Sequence, residues 1–269
     1  MRCSAECHTR GVVEGGKALV QIRTNNGVQW LAEEIYNLIA HEENPTLGLA
    51  TGSSPIGVYA RVAEMLRDNP VDVSRLDAFA LDEYVGLPTG HPESYHEFIR
   101  THVTEPWGLD PSRVQVPRSD LRIGGAPVPY YDVAISAAGG VDLQILGIGH
   151  NGHIGFNEPG AAFTLGTHIE LLSESTREAN ARFFGSVDEV PKAAVTQGPA
   201  NILTANRIVL LAFGEAKADA VYKALEGPVT EEVPASVLQN HPNVTFVLDA
   251  EAASRLSPEA LANFSQTNS

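Results

Sequence analysis

One stretch, residues 141–160 (VDLQILGIGHNGHIGFNEPG), constrains the fold more than any other part of the chain. It begins with the apolar pattern of a buried strand and then breaks into a loop at Gly147 and Gly149. In an open α/β sheet, a strand that ends in such a glycine-rich loop is where a ligand binds. Two histidines and a carboxylate so close together indicate proton transfer, although a polar surface turn would have the same composition. The polar residues of this loop are His150, Asn151, His153, Asn157 and Glu158.

Apolar runs elsewhere in the chain alternate between the periodicity of strands and that of helices. The run RIVLLAF at 207–213 is typical of a strand buried on both faces. The alternation predicts an α/β fold: an open, mostly parallel, doubly wound (Rossmann-like) sheet with helices on both faces. Strands are predicted at 18–22, 46–50, 78–81, 141–146, 207–213 and 244–248. Helices are predicted at 28–39, 56–66, 94–102, 127–138, 176–184, 215–226 and 250–256.

The chain is long enough to bury a sizeable core, and a single domain is predicted at 18–258. Residues 1–17 are expected to be a poorly ordered extension and 259–269 a polar C-terminal tail. Residues 161–190 have few long apolar runs and are predicted to form a lid over the site. Within that lid, Ser175 and Glu178 have the spacing of a capping box, which predicts the start of a helix.

Composition limits the partners. The formal net charge is −15 and no sustained basic stripe is present, so neither nucleic acid nor an anionic membrane is expected to bind. No apolar run approaches the roughly 20 residues that a membrane helix needs. The N-terminus lacks the apolar segment of a signal peptide, which predicts a cytoplasmic protein. Cys3 and Cys7 lie there beside His8, but a structural zinc site needs four ligands, so reduced thiols are expected.

A second candidate for function is the loop Thr51-Gly52-Ser53-Ser54, between a predicted strand and a predicted helix. Backbone N–H groups at a helix N-terminus, with hydroxyl groups beside them, form a ready site for phosphate. The loop matches neither the nucleotide-binding pattern ending in Gly-Lys-Ser/Thr nor the dinucleotide fingerprint, so a monophosphate is favoured. A serine-capped helix without a ligand fits the same residues at least as well.

Further polar groups fall at the same edge of the predicted sheet. Asp82 follows the strand at 78–81, where a carboxylate is either a base or a cap of the next turn. Lys217 lies in a first helical turn after the strand at 207–213, and Arg182 lies on the predicted lid helix. The cationic and loop groups suit a phosphate, and Asp82, His153 and Glu158 suit proton transfer. These residues indicate an enzyme that moves protons on a small phosphorylated molecule.

The sequence also resembles the glucosamine-6-phosphate deaminase (isomerase) family over most of the chain, from about 18 to 256. The stretches that carry the resemblance are LGLATGSSPIGVY, LDEYVGLP, HPESYHEFI, GIGHNGHIGFNEPG, TREANARFF, GEAKADAV and LQNHPNVT. The resemblance implies conversion of glucosamine 6-phosphate and water to fructose 6-phosphate and ammonia, in amino-sugar catabolism, without a metal or an organic cofactor. The family is often oligomeric, so a homo-oligomer is a possible state.

The resemblance also implies roles for single residues. His153 would open the pyranose ring, and Glu158 would orient and support its imidazole. Asp82 would carry the proton between C2 and C1 of the sugar. Asn151 replaces an aspartate of some members, so it can hydrogen-bond to the ring but cannot stabilise an imidazolium by charge. The phosphate would be bound by residues 51–54, Arg182 and Lys217, and the segment after Gly160 would be the lid.

A further departure from the family concerns regulation. Allosterically activated members have basic side chains where this chain has His168 and Glu170, and small hydroxyl residues where it has Ala161 and Ala162. We therefore expect no strong activation by N-acetylglucosamine 6-phosphate. Two other functions compete. A 6-phosphogluconolactonase would not be expected to keep Asn157-Glu158-Pro159, and a sugar-phosphate sensor that regulates transcription would need a DNA-binding domain that 17 residues cannot form.

Overall fold

The computed structural model describes residues 19–24, 26–88, 90–118 and 128–264. The predicted extension at 1–17, with its cysteines, and residues 265–269 lie outside these ranges. Ten strands are present: β1 (Leu19–Arg23), β2 (Thr46–Leu49), β3 (Asp77–Ala80), β4 (Asp82–Tyr84), β5 (Val114–Gln115), β6 (Leu143–Gly147), β7 (His168–Leu171), β8 (Ala193–Thr196), β9 (Arg207–Ala212) and β10 (Asn243–Leu248).

The α-helices of the described ranges are α1 (Gly27–His41), α2 (Ile56–Asp68), α3 (Tyr95–Ile99), α4 (Glu105–Trp107), α5 (Val128–Ala137), α6 (Glu174–Phe184), α7 (Pro199–Ile202), α8 (Ala218–Glu226) and α9 (Pro258–Phe264). A π-helical turn, Arg100–Thr104, joins α3 to α4, and 3₁₀ turns lie at Pro111–Arg113, Glu215–Lys217 and Pro234–Asn240. The buried apolar side chains of α1 to α5, α7 and α8 share one core with the strands of the large sheet.

Seven strands form one sheet in the order β1-β10-β9-β6-β2-β3-β5, and every neighbouring pair in it is parallel. Strand β9 is buried from Ile208 to Ala212, as its unbroken apolar run predicts. Strands β2 and β6 lie side by side, and the chain leaves them in opposite directions, toward β3 and toward β9. The loops that follow β2 and β6 therefore meet at a topological switch point, where such sheets bind ligands. The predicted fold class is confirmed.

A second, three-stranded antiparallel sheet, β4-β8-β7, was not predicted from the sequence. Its strands have three or four residues each, too short for a periodicity of two to be distinctive. It packs through a separate small apolar cluster that includes Tyr84, Phe156 and Phe184. The predicted lid at 161–190 contains β7 and α6, so much of that segment has regular structure.

Three details of the predicted elements were wrong. Residues 251–256 form turns because the Asp249 side chain accepts a hydrogen bond from the Ala252 amide, and the helix begins only at Pro258. That helix, α9, contacts β1 and buries Ala260, so the chain from 258 to 264 is part of the domain rather than a tail. Helix α6 is capped by Ser173, whose hydroxyl accepts from the Thr176 amide, and not by the predicted capping box at Ser175.

No helix within the described ranges combines the length and the apolar character that crossing a membrane requires.

Candidate active site

A cavity of about 1010 Å³ opens at the switch point between β2 and β6. Most of the predicted site residues contribute to its wall: Thr51, Gly52, Ser53, Ser54, Asp82, His153, Arg182 and Lys217. The two others, Asn151 and Glu158, are not among the lining residues and lie behind His153. The structure thus brings the separate segments of the chain to one cavity. Glu158, the predicted carboxylate partner of His153, lies behind the histidine and outside the cavity wall.

Asp82 is the first residue of β4 and is only 5 % exposed. Its Oδ1 atom has no hydrogen-bond partner in the part of the chain that the structure describes. Burial, and secondarily the charge of the adjacent Glu83, raises the pKa of this carboxyl well above its usual value. A buried carboxyl that lines a cavity and has a free oxygen is suited to exchange a proton with a bound molecule.

The loop after β6 approaches this carboxyl closely at Gly155. A Cβ atom there would lie 3.5 Å from Asp82 Oδ2 and only 2.8 Å from Thr196 Oγ1, and the φ angle is +56°. A side chain at this position would therefore meet both steric crowding and backbone strain. Gly155 was not among the predicted site residues, because its role depends on a neighbour 73 positions away in the sequence, Asp82.

Glu83 is a buried carboxylate that the sequence analysis missed. It accepts hydrogen bonds from the backbone amides of Tyr84, Tyr95 and His96, at 2.8, 3.0 and 2.9 Å. The last two amides belong to the start of α3, so Glu83 ties β4 to the helix that carries Tyr95 into the cavity wall. Neighbouring side chains of a strand point to opposite faces, so the adjacent carboxyl groups of Asp82 and Glu83 contact different parts of the protein.

His153 lies against the backbone of Gly149. A Cβ atom at Gly149 would be 2.3 Å from His153 Nδ1, so only glycine lets the imidazole pack here. Burial lowers the pKa of His153 to about 4, in spite of the opposing effect of Glu158, and the positive charges of Lys217 and His150 lower it further. The imidazole is therefore neutral near pH 7 and can accept a proton.

Glu158 faces the other side of that ring. Its Oε2 atom lies 3.9 Å from His153 Nδ1 and accepts a 2.8 Å hydrogen bond from Asn151 Nδ2. Its Oε1 atom accepts from both the amide and the hydroxyl of Ser173, at 3.2 and 3.1 Å. The Asn151 side chain also accepts from the backbone amide of His153 at 3.2 Å. Asn151 thus contacts the backbone of the histidine and the carboxylate, rather than the imidazole ring that we expected.

The phosphate-binding prediction concerns residues 51–54, which line the same cavity. Helix α2 begins after Pro55, and no side chain in the described ranges caps its N-terminus. The alternative of a serine-capped helix is therefore wrong, and the first amides of α2 remain without a side-chain acceptor. Free amides at a helix N-terminus favour an anion.

Two cationic side chains line the same cavity as this loop. Lys217 is half-buried, and its ammonium group donates a 2.7 Å hydrogen bond to the carbonyl of Ile148. Burial lowers the pKa of Lys217, and the positive charge of Arg182 lowers it further. The exposed guanidinium of Arg182 lies 4.7 Å from the centre of the Phe183 ring. Two cations close enough to perturb one another are stabilised by an anion bound between them.

Aromatic rings that the sequence analysis did not single out complete the wall beside Asp82. Tyr84 packs against Phe156 and edge-on to Phe184, with ring centroids 5.3 Å apart in both pairs. The three residues line the cavity from three different segments of the chain, so no local pattern could reveal the group. In the described ranges, no cluster of three or more His, Cys, Asp or Glu side chains could hold a metal ion.

Comparison with known proteins gives a consistent result. The family model described as glucosamine-6-phosphate isomerases/6-phosphogluconolactonase matches residues 22–247. A glucosamine-6-phosphate deaminase of Bifidobacterium longum (strain DJO10A) is 47% identical over 253 residues, covering 88% of this chain and 93% of the relative. One of Rhodococcus opacus (strain B4) is 51% identical over 214 residues, covering 78% and 82%.

Among solved structures, a glucosamine-6-phosphate deaminase is more similar to this chain than a 6-phosphogluconolactonase is. A monomeric glucosamine-6-phosphate deaminase, described as a missing link of the NagB superfamily, superposes with a TM-score of 0.83 at 40% identity, covering 87% of this chain and 98% of that one. A 6-phosphogluconolactonase from Thermotoga maritima superposes with a TM-score of 0.66 at 19% identity, covering 87% and 100%. The second likeness shows a shared fold only.

Proposed function

Because the chain belongs to the family of glucosamine-6-phosphate isomerases and 6-phosphogluconolactonases, we propose that its cavity converts glucosamine 6-phosphate and water to fructose 6-phosphate and ammonia. The similarity to deaminases at 47% and 51% identity confirms the sequence-based prediction of this enzyme class over the lactonase alternative. The observation that carries the proposal is the pairing of Asp82 and His153 in one cavity with the uncapped loop at 51–54.

Ring opening is assigned to His153. A neutral imidazole accepts the proton of the C1 hydroxyl and returns a proton to the ring oxygen, which gives the open-chain aldehyde. Its Nδ1 atom faces the Glu158 carboxylate, so a proton on Nδ1 leaves Nε2 free to act as the base. Glu158 would select this tautomer and favour the imidazolium while it carries the extra proton.

Asp82 is assigned the transfer between the two carbon atoms. As a carboxylate it removes the proton from C2 of the open-chain sugar, which gives an enolamine, and delivers a proton to C1. The resulting imine at C2 reacts with water and releases ammonia and the ketose phosphate. A carboxylate whose pKa is raised by burial is a stronger base than an exposed one, which suits removal of a carbon-bound proton.

The phosphate is assigned to the amides and hydroxyl groups of residues 51–54, together with Arg182 and Lys217. This assignment is supported by the uncapped start of α2 and by the effect of Arg182 on the pKa of Lys217. Helix α6 carries Arg182 and Phe183 into the cavity wall, so we propose that 161–190 acts as the lid that excludes water.

The deciding experiment measures ammonia release from glucosamine 6-phosphate and, in parallel, hydrolysis of 6-phosphogluconolactone. We expect ammonia and fructose 6-phosphate in equal amounts and no lactone hydrolysis above the spontaneous rate. Lactone hydrolysis without ammonia release would support the lactonase alternative. Binding of the amino sugar phosphate without turnover would instead indicate a sensor.

The oligomeric state and the cellular location are two further proposals. The similar solved deaminase is described as monomeric, so we propose that this chain is active without a partner, although the family resemblance left a homo-oligomer as a possible state. The cytoplasmic location remains a prediction.

A further inference from the structure

The hydroxyl of Ser173 joins two parts of the site that the proposed mechanism treats separately. It donates to Glu158 Oε1 at 3.1 Å, and it accepts from the Thr176 amide at 3.2 Å as the N-cap of helix α6. One oxygen atom therefore contacts both the carboxylate behind His153 and the helix that carries Arg182 into the cavity wall.

The hydrogen-bond capacity of this hydroxyl allows it to hold Glu158 and to cap α6 at the same time. A serine hydroxyl has one proton and two lone pairs, and a carboxylate oxygen only accepts. When the hydroxyl of Ser173 donates to Glu158, one of its lone pairs accepts the Thr176 amide. The hydroxyls of Ser175 and Thr176, at 3.1 and 3.0 Å, then either donate to its other lone pair or compete with Glu158 for its single proton. Capping α6 and holding Glu158 are therefore compatible and use different parts of one side chain.

Ser173 donates two hydrogen bonds to the Glu158 carboxylate. Oε1 accepts from both the amide and the hydroxyl of Ser173, while Oε2 accepts from Asn151 and faces His153 Nδ1. The Glu158 side chain is only 7 % exposed, so water cannot easily replace a lost donor. Without the hydroxyl, the carboxylate would keep fewer contacts to fix its distance from the imidazole.

Ser173 is far from the phosphate end of its own helix. Arg182 follows it by nine residues, which is about 14 Å along a helix axis at 1.5 Å per residue. The hydroxyl thus acts on the histidine through Glu158, while the same helix presents Arg182 at the other end. A displacement of α6 would be transmitted to Glu158 through the amide and the hydroxyl of one residue, Ser173.

We propose that Ser173 is a positioning residue for the ring-opening step: its hydroxyl fixes Glu158 against His153 and couples that geometry to the placement of helix α6. This inference rests on the proposed function and adds to it a residue that acts through Glu158.

Three substitutions separate this role from helix capping. Ser173→Ala loses both hydrogen bonds of the hydroxyl. Ser173→Thr keeps both. Ser173→Asp keeps a good capping acceptor but puts a second carboxylate, without a donor, beside Glu158. The matched control is Ser257→Ala, because Ser257 caps α9 by accepting from the Ala260 amide at 3.0 Å, away from the cavity.

We expect kcat of Ser173→Ala to fall about ten-fold, the scale of a lost hydrogen bond to a charged group, with KM changed less than about two-fold. Ser173→Thr should retain at least about half of the wild-type kcat, and Ser173→Asp should be no faster than the alanine variant. The Ser257→Ala control should lose thermal stability without losing kcat.

Wild-type kinetics for Ser173→Asp would overturn the proposal, since capping alone would then suffice. A loss confined to KM for Ser173→Ala would also overturn it. If the alanine variant fails to fold, the threonine and aspartate variants decide, because both retain the cap. A wild-type protein that releases no ammonia would refute the proposed function first, which the parallel wild-type assay detects.

Discussion

The two ends of the cavity are built differently, although one small molecule would bridge them. At the acid–base end, Asp82 is 5 % exposed and the His153 side chain 16 % exposed. Burial is the largest cause of the shifted pKa values of both groups, in opposite directions. Among the residues proposed to bind the phosphate, Ser53 and Arg182 are exposed, while Thr51, Ser54 and Lys217 are half-buried. Burial thus shifts the pKa of both groups proposed for proton transfer, whereas part of the proposed phosphate site stays open to water.

The two ends are also linked electrostatically. Lys217, which we propose binds the phosphate, contributes to lowering the pKa of His153, and Glu158 opposes this effect. A change at one end therefore alters the protonation of the other without any movement. Substitutions at the two ends should consequently separate into effects on turnover and effects on substrate binding.

The largest effect is expected for Asp82→Asn. The amide cannot accept the C2 proton, so kcat should fall by about 10³-fold while KM changes little. The measurement is steady-state ammonia release, with the exposed surface variant Asp68→Asn as the control. A fall of less than about ten-fold would remove Asp82 from the proton-transfer role.

A smaller loss is expected for Glu158→Gln. The amide cannot support an imidazolium by charge, so kcat should fall by about 10²-fold or more. The exposed Glu174→Gln, on the first turn of α6, provides a control for charge alone. Near-wild-type turnover would show that His153 acts without this carboxylate.

At the phosphate end, Lys217→Met should raise KM about ten-fold, the effect of losing one charge-assisted hydrogen bond, with a much smaller change in kcat. The same change removes a positive charge near His153, so the pKa of His153 should rise. Steady-state kinetics and imidazole NMR signals test the two parts. A fall in kcat without a rise in KM would place Lys217 in the chemical step instead.

The pH dependence of His153 sharpens the comparison further. With a folded-state pKa of about 4, the ring should remain neutral from pH 5 upward, which NMR of ring-labelled histidine can follow. The unfolded chain binds this proton near pH 6.5, so it holds more protons than the folded chain between about pH 4 and 6.5. Stability from this group should therefore rise with pH across that interval. A ring that titrates near pH 6.5 would contradict both statements.

The smallest effect is expected from N-acetylglucosamine 6-phosphate. His168 Nε2 lies 2.9 Å from Glu170 Oε2 on β7, so this chain pairs a histidine with a carboxylate at the positions where the family resemblance implies basic side chains in activated members. Substrate saturation should be hyperbolic, and the compound should change activity less than about two-fold, below the range typical of allosteric coupling. Sigmoidal kinetics abolished by the compound would refute this.

Local patterns in the sequence were enough for most of the large sheet. The apolar runs that form β2, β6, β9 and β10 are flanked by segments with helical periodicity. This alternation of strands and helices predicts a parallel sheet covered by helices. Short antiparallel strands were missed, because β4 has only three residues and pairs with β8, more than a hundred positions later. Neighbours so distant leave no local signal.

The sequence by itself determined the fold class, the two loops at the switch point and the identity of the groups that can bind phosphate or move a proton. Only the tertiary structure decided their chemistry. It buried Asp82 and His153, placed Glu158 behind the ring rather than in the cavity, and gave Asn151 a backbone contact. The reason is physical: residue type fixes which protons a group can exchange, but its pKa and partners depend on burial and on neighbours brought together by folding.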